Sequence, residues 1–289
     1  MAADEFEFKT STGQSVFTGM KTPDTLPLSF QAFPDSKLRP LEDIVEIIDD
    51  PTSINVADRL GPETMWSQGQ RSSCNAYMVG RMIATLIWFA TGEWIKLAPE
   101  FIYMLINDGR DVGSMLDDGM VAAYDHGCPI FGKVPYESFN KDKHVKFDQW
   151  AQAQGNAKNQ RLGEAYQMPT DSVEKCWHAL ISCISGRGTV GIAVHVAREY
   201  MNSEKMAGVS RGGGNHAVPG DSLVKLCDNP RSVADIGISV PGSWGEDFAD
   251  GGRAIHTIKH IEQTYRNHAL YGARSVFTNP KQVSKTRLK

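Results

Sequence analysis

Apolar residues recur along the 289-residue chain in two rhythms, and the change between them divides it. From Asn75 to Ala90 the one charged side chain is Arg81, and apolar residues fall on every face at helical spacing. That pattern predicts a helix buried on nearly all sides. At about 16 residues it is short for a bilayer span, which needs roughly 20. Pro99 predicts the start of a second helix through Phe101–Ile106, since proline suits a first helical position. A third runs from about Leu116 to His126 and closes at Gly127, a favoured C-cap residue. Asp171 and Glu174 have capping-box-like spacing and predict a helix to about Ile184. From Thr189 the rhythm becomes that of strands: Thr189–Val196, Ala217–Val218, Ser222–Cys227, Ile236–Val240 and Arg253–Ile258, with Gly, Pro and Asn turns between them. A helical half followed by a β half predicts an α+β architecture, with an antiparallel sheet or partial barrel in the second half and a cleft between the two.

The ends read differently. Pro23, Pro27, Pro34 and Pro40 break residues 1–49 into an extended arm, with one short helical pattern at Leu41–Ile48. The arm is read either as a docking or inhibitory segment or as a tail tied down on its own domain. Residues 263–289 carry six Lys and Arg and no acid. At that density, without interleaved aromatics, a solvated tail is favoured over contact with nucleic acid or an acidic partner. The divisions expected are an arm over 1–49, a helical lobe over 50–165, a β lobe over 166–262 and the basic tail.

Composition narrows the class without naming it. Hydrophobic content of 41% and charged content of 22% suit an ordinary globular protein. A net charge of −4 gives no general attraction to nucleic acid or an anionic membrane. The acidic start, Met1–Glu7, shows no secretory signal, and five cysteines without Cys-x-x-Cys spacing give no zinc or redox motif. A cytoplasmic or other intracellular, reducing location is the expectation, with no membrane partner. Cys176 and Cys183, seven apart on one helix, read as core thiols.

Candidate chemistry begins at Cys74. Gly69, Ser72 and Ser73 suit a turn and helix cap, which sets Cys74 in the first turn of the buried helix. Free N–H groups and the aligned peptide dipoles there favour a thiolate, the nucleophilic form. Most free cysteines are packing residues, so a base is required as well. His216 follows Cys74 by 142 residues, within the roughly 130–150 separating cysteine and histidine in papain-type enzymes. It enters the β half after a glycine turn, whereas His126 and His178 lie in amphipathic helices and His256, His260 and His268 read as surface residues.

With those residues in place the chain resembles the papain-like cysteine peptidases over roughly residues 50–262. Gln68 stands six residues before Cys74, where the family supports its oxyanion hole, and Ser72–Ser73–Cys74 stands where it has Gly-Ser-Cys. Gly113–Ser114 resembles the loop that pairs with substrate backbone, and Val134–Tyr136 resembles the Tyr-Pro-Tyr element. Asn215–Val218 matches the histidine motif, and Ser243–Gly245 with Asp250–Gly252 resembles the Asn-Ser-Trp-Gly block and its downstream glycines. There are departures. Gly242 replaces the asparagine that orients the histidine, Asn75 replaces an aromatic, and the family's first disulfide cysteines are absent.

The resemblance implies a two-lobed fold, a helical left lobe and an antiparallel β-barrel-like right lobe, with the site in the cleft. It implies peptide-bond hydrolysis by a Cys74 thiolate paired with His216. The Gln68 amide would support the oxyanion, Gly113 and Ser114 would contact a peptide or protein substrate, and Trp244 would shield the pair from water. No metal or organic cofactor is implied. The alternative is a weak or inactive module in a larger assembly such as a virus particle, gripping neighbours by its arm and tail. A transferase using the same pair is a more distant reading.

Overall fold

In a computed structural model the chain is described over residues 7–9, 15–17, 30–50, 55–61, 64–108, 110–132 and 147–278. The element Val134–Tyr136, most of the arm and the last four cations of the tail lie outside those residues.

The first half is helical, as the spacing predicts. A small antiparallel hairpin, β1 (Glu7–Lys9) and β2 (Ser15–Phe17), comes first. The strand β3 (Gln31–Ala32) and the helices α1 (Leu41–Asp49) and α2 (Val56–Arg59) follow. The helix α3 (Cys74–Thr91) is buried continuously from Cys74 to Trp88 and closes on the left-handed Gly92. Its Met78, Ile83 and Ile87 have no exposed surface, and burying each such side chain contributes roughly 1.5–3 kcal/mol. The helices α4 (Glu100–Asn107), with Pro99 before it, and α5 (Leu116–Asp125) pack on α3 and on each other. Gly127, at φ 79°, takes up the left-handed turn beyond α5.

After α6 (Phe147–Ala157) come β4 (Gln160–Leu162), β5 (Ala165–Gln167) and α7 (Val173–Ser185). The α7 cap is Ser172, whose hydroxyl accepts from Lys175 N at 3.1 Å, one residue later than the expected Asp171. The second half holds β6 (Thr189–Val194), α8 (Arg198–Met201), β7 (His216–Gly220), β8 (Ser222–Lys225), β9 (Ile236–Pro241) and β10 (Arg253–His256). It ends with β11 (Tyr271–Ala273) and β12 (Val276–Thr278). Every strand predicted between Thr189 and Ile258 is present within a few residues.

The sheets order as β3-β5-β11-β6-β7 and β10-β9-β8, with β12 paired to β4. Among the described strands all pairings are antiparallel except β3 with β5. The β half is thus two sheets joined where β7 packs on β9, and no closed barrel forms among the described residues. The boundaries at 49 and 263 also shift in meaning. β3 completes one edge of the larger sheet and α1 packs on α7 and β8, so residues 30–50 are part of the domain. β11 sits inside that sheet between β5 and β6, so the first part of the basic tail is core. Turn-flanked, three-residue strands leave too little alternation to be read from sequence. No helix of the described residues is long and apolar enough to cross a membrane.

Candidate active site

The chain reaches Cys74 along a segment pinned to the loop after β9. Gln68 N donates to Ser243 O at 2.7 Å, Gly245 N donates to Trp66 O at 3.0 Å, and Ser67 pairs with Trp244 as an isolated bridge. The Gln68 side chain is wholly buried. Its Oε1 accepts from the Ser243 hydroxyl, and its Nε2 donates to Arg71 O at 2.6 Å. A hydroxyl donor on Oε1 fixes which way the amide faces. That role for Ser243 was not drawn from the sequence, although Ser243 belongs to the motif that carried the resemblance.

Cys74 is the first residue of α3 and is buried. The expected serine cap is not made: Ser73 sits at the cap position with no side-chain cap bond, and its buried hydroxyl has no partner among the described residues. The turn is tied from the loop after α4 instead. Ser72 N donates to Asp111 Oδ1 at 3.1 Å, and the Tyr103 hydroxyl donates to the same oxygen at 2.6 Å. Asn75 Nδ2 donates to Ser114 Oγ at 3.0 Å and to Met115 O. A β-carbon on Gly119 of α5 would lie 2.3 Å from Asn75 Oδ1, so the bare glycine is what admits this amide. Gly113 and Ser114 are therefore beside the start of α3. The Ser114 side chain, 2% exposed, is turned to Asn75.

His216 opens β7 opposite Val194, and β7 packs along α3. The preceding Asn215 is anchored twice, accepting from Val196 N at 2.7 Å and donating to Val196 O at 3.0 Å. The imidazole is wholly buried and lies flat on the Trp244 indole, with centroids 4.4 Å apart and planes 18° apart. Among the described residues neither of its ring nitrogens has a hydrogen-bond partner. Burial pushes its imidazolium down to about 3, so the ring is neutral at neutral pH. A β-carbon on Gly242 would meet Phe248 Cδ1 at 2.7 Å. The position where the resemblance expects an orienting amide is thus closed by a phenyl ring. Phe248 stands edge-on to Trp244 at 5.0 Å and stacks on Tyr200 at 5.8 Å.

The late histidines are not on the surface as expected. His256 and His268 are 0% and 1% exposed and His260 is 8%. His256 Nε2 is 2.9 Å from the Tyr200 hydroxyl, and its ring stacks on His260 at 4.6 Å. The strand pattern Arg253–His256 is buried at every position, so alternation could not flag the inward histidine. Cys176 and Cys183 are core thiols, each pushed up to about 12 by burial. None of the five cysteines is in a disulfide. Among the described residues no cluster of His, Cys, Asp or Glu is arranged to hold a metal ion.

This is the fold of the papain-like cysteine proteases. A cysteine protease from Xylella fastidiosa, xylellain, superposes with a TM-score of 0.65 at 16% identity, covering 94% of this chain and 98% of its own. Digestive procathepsin L2 from Tenebrio molitor larval midgut gives 0.60 at 15% identity, over 89% of this chain and 78% of its own. The ragweed pollen protease Amb a 11, in its proform, gives 0.58 at 13% over 83% and 70%. No family model and no curated sequence matches the chain, so the likeness is one of fold.

Proposed function

We propose that the chain is a cysteine peptidase that opens peptide bonds with Cys74 as nucleophile, His216 as proton carrier and Gln68 as oxyanion support. The observation that carries this reading is the clasp between residues 66–68 and 243–245. It joins the turn before Cys74 to the loop whose Trp244 lies on His216, so nucleophile and base belong to one braced unit. The buried, neutral imidazole favours a resting pair of thiol and imidazole over a preformed ion pair. His216 takes the sulfur proton as Cys74 attacks the carbonyl carbon and delivers it to the leaving amine. Water then opens the acyl-enzyme with His216 again as base. The Cys74 backbone N–H and the second Nε2 hydrogen of Gln68, the first being donated to Arg71 O, are the donors this reading assigns to the developing oxyanion, and the loop Gly113–Ser114 borders the substrate.

A second reading has a specific support. With Phe248 beside Gly242 and no partner among the described residues on either ring nitrogen, His216 lacks its orienting hydrogen bond. A module that binds peptides without cutting them, within a larger assembly, suits that arrangement. Mass spectrometry of an unfolded protein substrate separates the two. Cleavage by the wild type is expected, lost in Cys74→Ala and reduced on the order of 10²–10³ in kcat by Gln68→Ala. Cleavage unchanged in Cys74→Ala removes Cys74 as the nucleophile, and no cleavage together with peptide binding selects the second.

A further inference from the structure

The sole charge on the buried face of α3 has no complete set of partners. Arg81 is 3% exposed, and its charged neighbours are Asp221, 0% exposed, and Arg253 of β10, 9% exposed. Two guanidinium groups share one carboxylate; Arg253 also borders an open pocket with Asp250 and Lys205, so the surplus positive charge held away from water lies at the Arg81 end. An uncompensated buried charge is costly.

The hydrogen-bond count is incomplete in the same place. Arg81 Nη1 donates to Thr64 O at 2.7 Å and its Nη2 stands 3.5 Å from Asp221 Oδ2, but among the described residues Nε, Nη2 and that carboxylate oxygen make no hydrogen bond. Arg253 donates from Nε to Ser239 and from Nη2 to Asp221 and Ser222, which leaves Nη1 without a partner among the described residues. The Arg81 guanidinium also sits over the Trp94 ring, 4.3 Å from its centroid, a contact that does not neutralise charge.

A small cavity adjoins Arg81. Trp66, Tyr77, Pro219, Gly242 and Ser243 also line it, and about 10 Å³ is open to the centre of a water-sized sphere. That is room for one water or one monatomic ion, and too little for phosphate, sulfate or a carboxylate. Arg81 is the charged residue of the lining and Asp221 is not part of it. Tyr77 turns its hydroxyl to Glu100 at 2.5 Å.

We infer that Arg81 holds one small monovalent anion, chloride in ordinary buffers, in the cavity beside Gly242, and that this ion neutralises the Arg81–Asp221–Arg253 cluster. A water would satisfy a donor and leave the charge. Ser243 lines the same cavity and donates to Gln68, so occupancy is felt one hydrogen bond from the amide assigned to the oxyanion. Binding itself does not rest on peptidase activity.

The test uses the full chain dialysed into sodium gluconate and titrated with chloride at constant ionic strength. Tm is expected to rise saturably, by about 2–4 °C at a five-fold excess over Kd. The ³⁵Cl resonance is expected to broaden on adding protein and to sharpen when bromide competes. Crystals grown in bromide are expected to show an anomalous peak beside Arg81. Arg81→Met is expected to remove the chloride response. Arg81→Lys, which keeps the charge without the fork of donors, is expected to weaken it by about ten-fold and serves where Arg81→Met does not fold. Equal Tm and linewidth in chloride and gluconate, or a bromide-free cavity holding only water, overturns the inference.

Discussion

The wall that presents Cys74 is tied by hydrogen bonds, and the wall that presents His216 is packed from rings. Around Cys74, Asp111 gathers Ser72 and Tyr103, and Asn75 reaches Ser114. Around His216, Trp244, Phe248 and Tyr200 meet at centroid distances of 4.4–6.2 Å, and no hydrogen bond from the described residues reaches the imidazole. Hydrogen bonds fix direction and rings fix position, so the first wall specifies where a group points and the second only where it lies. The two walls therefore differ in how they respond to protons and to changes of shape.

The largest expected difference is with acid. His216 is pushed down to about 3 and His268 to about 4 by burial, and burial also lowers His256 and His260. In the unfolded chain each titrates near 6.5. Below that pH the unfolded state binds protons that the native state refuses, so stability falls with pH until the native groups titrate. Each buried imidazole removes up to about 1.4 kcal/mol per pH unit across that window. The helical wall has the opposite sign, because burial raises the carboxyl groups of Glu100 and Asp117, and their native forms hold protons longer than the unfolded chain. Urea midpoints are expected to drop steeply from pH 6.5 to 4.5, and His268→Leu is expected to flatten the slope by about one proton. Hydrogen exchange at pH 5, corrected for intrinsic rates, is expected to open β7 and β10 before α4 and α5. A flat midpoint over that range would erase the distinction between the walls.

Next in size is the exchange of ring for amide at Gly242. Gly242→Asn alone forces a β-carbon against Phe248 and is expected to cost about 1–3 kcal/mol. Phe248→Ala alone leaves a cavity and is expected to cost about 3–5 kcal/mol. Together they are expected to cost less than the sum, since each makes room for the other. The new amide would give His216 the acceptor it lacks, favouring its charged form. Iodoacetamide should then alkylate Cys74 at pH 6 faster in the double variant than in the wild type, where burial disfavours the charged imidazole. Additive costs with unchanged alkylation would mean that packing alone already sets the ring.

Much of this was legible in the sequence because periodicity reports burial. The continuous apolar run of α3, Gly127 beyond α5 and the strands from Thr189 to His256 stand close to where the pattern puts them. The fold-level resemblance rested on motifs in order along the chain, and the architecture agrees with it. What pattern did not reveal depends on pairs distant in sequence. Phe248 filling the space at Gly242 couples positions six apart through a loop, and Asn75 with Gly119 joins two helices. The buried His256 and His268 read as surface because a polar residue carries no mark of the packing around it. The strands β3, β11 and β12 are too short to show alternation and are fixed by their partners.

The smallest expected effect lies at the hydrogen-bonded corner and tests whether its tie is as local as it looks. Asn75→Ala leaves Ser114 Oγ and Met115 O without their donor, and a buried group so stranded costs about 1–3 kcal/mol. Gly119→Ala is expected to destabilise by a different route, driving a methyl into Asn75 Oδ1. If the amide is the only obstacle, Asn75→Ala with Gly119→Ala should be more stable than Gly119→Ala alone, because the new methyl occupies part of the space the amide left. Ring packing at Gly242 permits the same kind of rescue by volume, but at the Asn75 corner the rescue should remain incomplete, since a methyl restores contact and no donor. Urea midpoints of the four proteins measure this. Full recovery would show that volume, and not hydrogen bonding, holds the Cys74 wall.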